Sequence, residues 1–352
     1  MMLSRWGVRT VIADRGRSMK NTIVIDSGTT NTRVYLIDSD EKLLAVSRKE
    51  IGVRNTAADG NNGRLKNAVG DGIRSVMADK DITFADIEAV IASGMITSDI
   101  GLVEIPHLTA PAGKEELAAG MQKHMLPDVA PVPIWFIPGV KNHDKLDKIE
   151  NLASMDMMRG EETEITAVLE YADDVDSLLI VLPGSHMKFV SIDNCRKIKA
   201  CITSISGELL SSITNDTIIA DAVKHKYVSD KTYNQEFLQY GYRQAEQYGL
   251  GRACFSVRIL GQFLVHDENL LANYVLGSVL QTDIQAIRKS EILQTDSNTK
   301  VIVAGENVLA KAFADLLKMN TTFRDVSLLR SSQGLPLSVK GALTLWKERE
   351  AV

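Results

Sequence analysis

Two short segments combine the residue types that handle phosphate groups. Residues 26–33 read Asp-Ser-Gly-Thr-Thr-Asn-Thr-Arg and residues 183–188 read Pro-Gly-Ser-His-Met-Lys, and each follows an apolar run. A glycine turn between two strands exposes backbone N–H groups and hydroxyls, which together bind phosphate oxygens. Arg33 and Lys188 would add positive charge, and Asp26 could hold Mg²⁺, usually through water, while the ion bridges phosphates. The pattern predicts two phosphate-binding turns and one magnesium site.

The repetition of the pattern decides against an ordinary hairpin, which would explain a single copy. Residues 25–38 and 182–193 each form an apolar run, a Gly-Thr or Gly-Ser turn, and a second run that begins after Arg or Lys and ends in Ile-Asp. Such a duplication at about half the chain length is too long a period for a solenoid. It predicts an α/β protein in which two related domains face each other with their turns at the cleft.

Apolar periodicity supplies the elements that must position these turns. The predicted strands are 23–26, 33–38, 42–51, 89–94, 133–137, 178–183, 188–193, 198–205 and 301–305. The predicted helices are 65–77, 114–125, 162–171, 207–214, 234–248, 268–289, 308–317 and 336–348. We expect residues 1–19 to be a disordered extension or an upstream start, 20–177 to be the first domain and 178–352 the second.

Composition excludes several classes of function. A chain of 352 residues suits two domains of about 150 residues each. Its 40 basic and 45 acidic residues leave a net charge of −5, which argues against a general nucleic-acid binder. No apolar run approaches the roughly 18 residues of a membrane helix, so we expect a cytoplasmic protein.

Metal, redox and other nucleotide motifs are missing from the sequence. The three cysteines and six histidines show no zinc-binding spacing. A disulfide between Cys195 and Cys201 is conceivable, but free thiols are expected in the cytoplasm. The sequence contains neither G-x-x-x-x-G-K-[ST] nor G-x-G-x-x-G after a strand, and it has no kinase catalytic loop or G-x-S-x-G.

The turns resemble the two phosphate loops of the actin-like ATPase superfamily, which includes sugar kinases, Hsp-type chaperones and actin. Residues 303–310, Val-Ala-Gly-Glu-Asn-Val-Leu-Ala, are similar to its adenosine-side motif, with Gly305 at the turn. The resemblance implies two actin-like, ribonuclease H-like domains around a nucleotide cleft, with ATP and Mg²⁺ as cofactors.

Five further segments resemble the 2-dehydro-3-deoxygalactonokinase family more narrowly. They are residues 92–96, 101–104, 111–113, 158–163 and 206–209. This resemblance implies phosphorylation of the 6-hydroxyl of 2-dehydro-3-deoxy-D-galactonate from MgATP in galactonate breakdown. The sequence departs from the family pattern at Ser27, Ser185 and Glu306.

The resemblance also assigns roles to residues. In sugar kinases of this superfamily the base is an acidic residue at a helix start before the second phosphate loop. Glu161 is the first choice here, Glu162 the second and Asp156 a distant third, while stabilisation of the helix N-terminus is the alternative role for the pair. The expected nucleotide ligands are Asp26, Gly28, Thr29, Thr30, Asn31, Arg33, Gly184, Ser185, His186, Lys188 and Gly305. The expected substrate ligands are Ser93, Gly94, Met95, Glu104, His107 and Arg159.

Structural roles compete with some of these assignments. Met95 could belong to the core, His107 could be a packing or surface residue, and His186 could make a bond across its own turn. At the level of function, the alternatives are a kinase of the same fold acting on another sugar or sugar acid and, less favoured, a phosphatase or a non-catalytic ATP-binding regulator. A homodimer is a further expectation.

Overall fold

Two mixed β-sheets, one from each half of the chain, form the framework of the protein. The computed structural model describes residues 20–143, 145–173, 175–320, 322–330 and 334–351. The expected N-terminal extension therefore lies outside the described residues.

The first sheet has the strand order β3-β2-β1-β4-β7-β6. Its strands are β1 (Asn21–Ser27), β2 (Thr32–Ile37), β3 (Leu43–Lys49), β4 (Ile87–Gly94), β6 (Gln122–His124) and β7 (Ile134–Phe136). The first three form an antiparallel meander, and β4 runs parallel to β1. Ile23, Val24 and Ile25 are all fully buried, as expected for a central strand covered on both faces.

The second sheet repeats this arrangement in the order β12-β11-β10-β13-β14. Its strands are β10 (Leu178–Leu182), β11 (Met187–Ile192), β12 (Ile198–Ser204), β13 (Lys300–Ala304) and β14 (Val326–Leu329). Again a three-stranded meander is followed by a parallel strand. A small third sheet contains β5 (Leu108–Thr109), β8 (Val140–Lys141) and β9 (Met157–Met158). The expected two-domain α/β fold is confirmed.

Eleven helices are described around the sheets. They are α1 (Val53–Asp59), α2 (Gly63–Ala78), α3 (Lys114–Gly120), α4 (Glu161–Leu169), α5 (Ser206–Asp216), α6 (Ala220–Val223), α7 (Gln235–Tyr248), α8 (Leu250–Phe263), α9 (Glu268–Lys289), α10 (Val308–Met319) and α11 (Leu337–Ala351). The helix predicted over 114–125 is too long, because it ends at Gly120 and β6 follows, paired antiparallel with β7. Helix α8 was not predicted. Its Phe255 and Phe263 are exposed, so apolar residues do not fall on one face of the helix alone.

Helices α4 and α11 lie between the two halves. In sequence α11 follows the second sheet, but it packs against α4, α3, β1 and β4 of the first half. An added Cβ at Gly341 of α11 would lie 1.7 Å from the carbonyl oxygen of Thr163 in α4, so the two helix backbones are in contact there. One hydrophobic cluster contains side chains from both sheets and from α11. The two halves therefore share a core.

Cys195, Cys201 and Cys254 are free thiols, as predicted, and the first of them is exposed. No group of three or more His, Cys, Asp or Glu side chains in the described ranges could hold a metal ion by itself. No helix there is long and apolar enough to cross a membrane.

Candidate active site

The first glycine turn connects β1 to β2 and rests on the beginning of α1. The Gly28 N–H donates to the Asn31 carbonyl at 2.9 Å, and Thr29 and Thr30 are exposed. Two backbone amides at the start of α1 donate to carbonyl oxygens of the turn at 3.3 and 2.9 Å. A Cβ on Gly52 would lie 2.5 Å from the Gly28 oxygen, so only glycine allows this contact. The turn is held from behind and open in front.

Asp26 is the penultimate residue of β1 and lies beside this turn. Its Oδ2 accepts hydrogen bonds from Arg33 and from Ser338 of α11, both at 3.3 Å. Burial raises the pKa of Asp26, while Arg33 and Ser338 oppose that shift. Because Ser338 is near the C-terminus and Asp26 near the N-terminus, only the tertiary structure brings the two together.

Glu164 is a second carboxylate near Asp26, and the sequence analysis missed it. Burial raises its pKa to about 8, and the negative charges of Asp26 and Glu161 add to the shift. Glu164 lines a cavity of about 400 Å³ together with Pro183, Gly305 and Glu306. The spacing of three residues from Glu161, which puts both on one face of a helix, could have identified it.

The second glycine turn has the same support as the first. A Cβ on Gly207 in α5 would lie 2.3 Å from the Gly184 oxygen, and the Glu208 N–H donates to the Ser185 carbonyl at 3.2 Å. The His186 Nε2 lies 2.9 Å from the Glu208 carboxylate, and both side chains are exposed. Of the two roles considered for His186, the structure shows the bond across the turn.

Lys188 occupies a different environment from the one that its motif suggests. It pairs with Leu182 across the β10–β11 ladder, as Arg33 pairs with Asp26 in the first sheet. Only 4% of Lys188 is exposed, and its Nζ donates to the Met157 carbonyl and the Thr203 hydroxyl. The ammonium group is therefore covered by protein.

The start of α4 contacts the first sheet through glycine backbone. Gly160 has a φ of +109°, a conformation that L side chains rarely adopt, and its ideal Cβ would lie 3.1 Å from the Gly94 Cα. Gly94 has a φ of +91° and in turn approaches the Ser27 carbonyl, which a Cβ would meet at 2.6 Å. The ends of β1 and β4 and the beginning of α4 therefore meet backbone to backbone, which places Glu161 near the first turn.

The two candidate bases lie in opposite environments. Both oxygens of Glu162 accept the Gly160 N–H at 2.8 Å, and the residue is completely buried. Burial and the neighbouring charge of Glu161 raise the pKa of Glu162 to about 8. The Glu161 Oε2 accepts the Arg159 backbone N–H at 3.1 Å, and 28% of its side chain is exposed. Of the pair, Glu161 is therefore the one whose carboxylate is partly exposed.

Arg159 links α4 to the loop after β4. Its guanidinium donates to the Thr97 hydroxyl and the Ile105 carbonyl at 2.8 Å each, and to the His107 Nδ1 at 3.2 Å. Burial, with Arg159 as the next cause, lowers the pKa of His107 to about 4. The neutral ring then carries its proton on Nε2, which is buried without a partner among the described residues.

The other expected substrate ligands differ in exposure. Ser93 is fully buried at the end of β4, and its Oγ also lacks a partner in the part of the chain that the structure describes. Met95 is partly buried and packs against the core of the first half, which agrees with the structural role considered for it. Glu104 is exposed.

A cavity beside the second turn falls within the usual size range of small-molecule binding sites. Its volume is about 440 Å³, and Gly184 and Ser185 form one side. Asn307, Val308 and Leu309 of the predicted adenosine-side motif also line it, whereas Leu210, Tyr227 and Leu276 were not predicted. These three residues come from α5, the loop after α6 and α9, which are far apart in the sequence, so no local motif connects them.

Comparison with known proteins identifies the family. A family model described as 2-keto-3-deoxy-galactonokinase matches residues 26–329. The chain belongs to this family. Membership confirms the kinase predicted from the motifs, a phosphotransferase acting on 2-keto-3-deoxygalactonate, another name for 2-dehydro-3-deoxygalactonate. A kinase with this fold uses ATP.

A solved structure agrees with the fold assignment. A protein from Sinorhizobium meliloti, provisionally described as a 2-dehydro-3-deoxygalactonokinase, is 23% identical and has a TM-score of 0.71, with 94% of this chain and 98% of that chain covered. Component A of the Acidaminococcus fermentans (R)-2-hydroxyglutaryl-CoA dehydratase is 12% identical over 94% of this chain and 99% of that one, with a TM-score of 0.48. Comparison with curated protein sequences gives no match.

Proposed function

We propose that this kinase transfers the γ-phosphoryl group of ATP to the 6-hydroxyl of 2-dehydro-3-deoxy-D-galactonate, with Glu161 as the general base. The observation that carries the role of Glu161 is the contrast between two adjacent carboxylates. Glu162 is sealed against the Gly160 amide, whereas Glu161 is partly exposed at the start of α4.

The proposed reaction needs a base that acts late. The 6-oxygen forms a bond to the γ-phosphorus while the bond from that phosphorus to the β,γ-bridging oxygen breaks, and ADP leaves. The hydroxyl proton passes to the Glu161 carboxylate as the alcohol loses electron density. The backbone amides of the two glycine turns hold the phosphate oxygens, and Arg33 adds positive charge near the transferred group.

The residues around Asp26 fit a magnesium ion of the kind used in nucleotide sites. Mg²⁺ there takes one or two carboxylates and completes its octahedron with phosphate oxygens and water, so no protein cage is needed. Asp26, with Glu164 as its neighbour, supplies that donor set. When bound, the ion would neutralise charge on the phosphates. Asp26 would hold it through water.

Two orphaned polar atoms support the proposed substrate site. Buried polar groups almost always have a hydrogen-bond partner. The Ser93 Oγ and the His107 Nε2 have none among the described residues, and both belong to segments that Gly94 and Arg159 connect to the start of α4. We assign them to recognition of substrate hydroxyl or carbonyl oxygens. The backbone amides around Gly94 would meet the substrate carboxylate, and Arg159 and Glu104 would complete the site.

A substrate panel tests the proposal. ADP release with MgATP is measured on 2-dehydro-3-deoxygalactonate, its gluconate epimer, galactonate, glycerol and common hexoses, and the product of the best acceptor is identified by ³¹P and ¹³C NMR. Strong turnover on the galactonate-derived acid with phosphate at carbon 6 supports the proposal. Turnover on another acceptor alone would overturn the substrate assignment. It would favour the alternative of a kinase with the same fold that acts on another sugar or sugar acid.

The homodimer and the cytoplasmic location remain predictions. The face of α8 that carries Phe255, Ile259 and Phe263 is exposed and apolar, which makes it the first place to look for a contact between copies. Analytical ultracentrifugation of the wild type and of a Phe263→Glu variant would test the dimer.

A further inference from the structure

Lys188 is a buried cation close to the proposed base. It enters the second phosphate motif at the start of β11, but 4% of the residue is exposed. Its Nζ donates to the Met157 carbonyl at 2.9 Å and to the Thr203 hydroxyl, and it lies 4.0 Å from the Glu161 Oε1. The ammonium group therefore joins β11 and β12 of the second half to the segment that begins α4.

This environment does not suit a phosphate ligand. An ammonium group has three N–H donors, and two of those on Lys188 already meet protein oxygens. The third is available toward Glu161. Arg33, at the corresponding register position of the first sheet, has 43% of its side chain exposed and is open to the cleft.

Burial of a charged group is unfavourable unless other charges and hydrogen bonds compensate it. Two carboxylates do so for Lys188. Glu161 contributes directly, and Asp156 contributes through Thr203, whose hydroxyl and backbone N–H donate to the two Asp156 oxygens at 2.9 and 2.6 Å. Thr203 thus accepts from Lys188 and donates to Asp156, which gives the network one orientation.

We propose that Lys188 is a positioning residue that holds the Glu161 carboxylate in place from the second half of the molecule. The proposal rests on the assignment of Glu161 as the base. The Lys188 Nζ lies 4.0 Å from one oxygen of that carboxylate, at ion-pair distance, and the Arg159 backbone N–H donates to the other oxygen, so one group from each half contacts the carboxylate. A rotation of the halves against each other would move the two groups apart and misplace the base.

The test is a double-mutant cycle of Lys188→Met and Glu161→Gln, with ATP and ADP affinities measured by calorimetry. Displacement of a catalytic group by about 1 Å can cost about 10²-fold in rate, so we expect Lys188→Met to lower kcat by about that factor while the Kd for ATP stays within about twofold. In the Glu161→Gln background the same change should have little further effect on kcat, because the group it positions is gone.

Two other variants keep the test decisive. Thr203→Val removes one hydrogen bond to Lys188 and leaves the lysine in place, so it should lower kcat less and in the same direction, and it carries the test if Lys188→Met does not fold. Lys199→Met is the matched control. Lys199 lies on β12 but is exposed, so its loss should leave kcat unchanged.

Several outcomes would overturn the proposal. A tenfold or greater loss of ATP affinity in Lys188→Met with kcat preserved would make Lys188 a phosphate ligand. Additive losses of kcat in the cycle would show that Lys188 does not act through Glu161. An unchanged kcat in Thr203→Val would show that the hydrogen bond from Lys188 to Thr203 does not help to position the base. If Glu161→Gln itself retains full kcat, it is the proposed function that fails, and the ATP affinities still report on Lys188.

Discussion

The glycine turns of the two halves share a backbone arrangement and differ in the charges around them. Each lies between the first two strands of its meander, and each rests on a glycine at the beginning of a later helix, Gly52 just before α1 in one half and Gly207 in the first turn of α5 in the other. In the first half Arg33 is open and pairs with Asp26. In the second half Lys188 is covered, and no carboxylate ends β10.

The proposed roles of the two turns differ accordingly. The first turn retains the exposed cation and the carboxylate that charge neutralisation needs. The second turn lines the cavity of about 440 Å³, and the Lys188 ammonium group lies beside Glu161 at the start of α4. We therefore propose that the same motif has different roles in the two halves, according to whether its side chains are exposed or buried.

The largest expected effect follows from changing the base. Glu161→Gln should lower kcat by about 10²–10⁴-fold, the usual contribution of general base catalysis, with the Kd for ATP almost unchanged. Steady-state kinetics and calorimetry measure the two quantities. Equal losses of turnover and ATP binding would indicate a structural role, and unchanged turnover would move the base to Glu162.

The shared backbone of the two turns can be tested with the paired variants Gly52→Ala and Gly207→Ala. The added methyl group would meet the turn carbonyl at 2.5 and 2.3 Å, respectively, so each should lower the free energy of unfolding by about 1–3 kcal/mol. Urea denaturation measures the change. Gly251→Ala in α8, where a Cβ meets nothing within 4 Å, is the control and should not destabilise. A loss in one half only would break the equivalence of the turns.

The buried carboxylate at the start of α4 makes stability depend on pH. Burial raises the pKa of Glu162 from 4.5 to about 8, so between these values the folded state keeps a proton that the unfolded chain has lost. Its contribution is fully present below pH 4.5 and is lost as pH rises through 8. Glu162→Gln should make the unfolding free energy fall less steeply with pH over this range, and the change in slope should correspond to the binding of up to one proton. Denaturation at a series of pH values measures it, and an unchanged slope would contradict the assignment.

The smallest effect is expected at the exposed cation of the first turn. Exposed charge pairs contribute about 0.2–1 kcal/mol, so Arg33→Met should raise the KM for MgATP by about two- to fivefold with a smaller change in kcat. Lys188→Met is expected to show the opposite division between KM and kcat. If both variants shift the same parameter, the two cations have equivalent roles and the comparison fails.

Much of the framework could be predicted because it depends on local sequence. The apolar runs around residues 25 and 180 specify buried strands, and the Gly-Thr and Gly-Ser segments specify the turns that follow. The duplication and the family were predicted for the same reason. Where a helix depended on partners, prediction was weaker, as at Gly120, where pairing of β6 with β7 replaced the last part of a helix.

The sequence by itself therefore determined the repeated strand–turn–strand units, the kinase family and a pair of candidate bases. Only the tertiary structure separated Glu161 from Glu162, covered Lys188, brought Ser338 to Asp26 and placed Glu164 in the cleft. The physical reason is that spacing and residue type describe the backbone over a few residues, whereas exposure and the partners of a charged group depend on segments that are tens to hundreds of residues away. The same Glu or Lys becomes a base, a buried acid or an anchor according to those distant contacts.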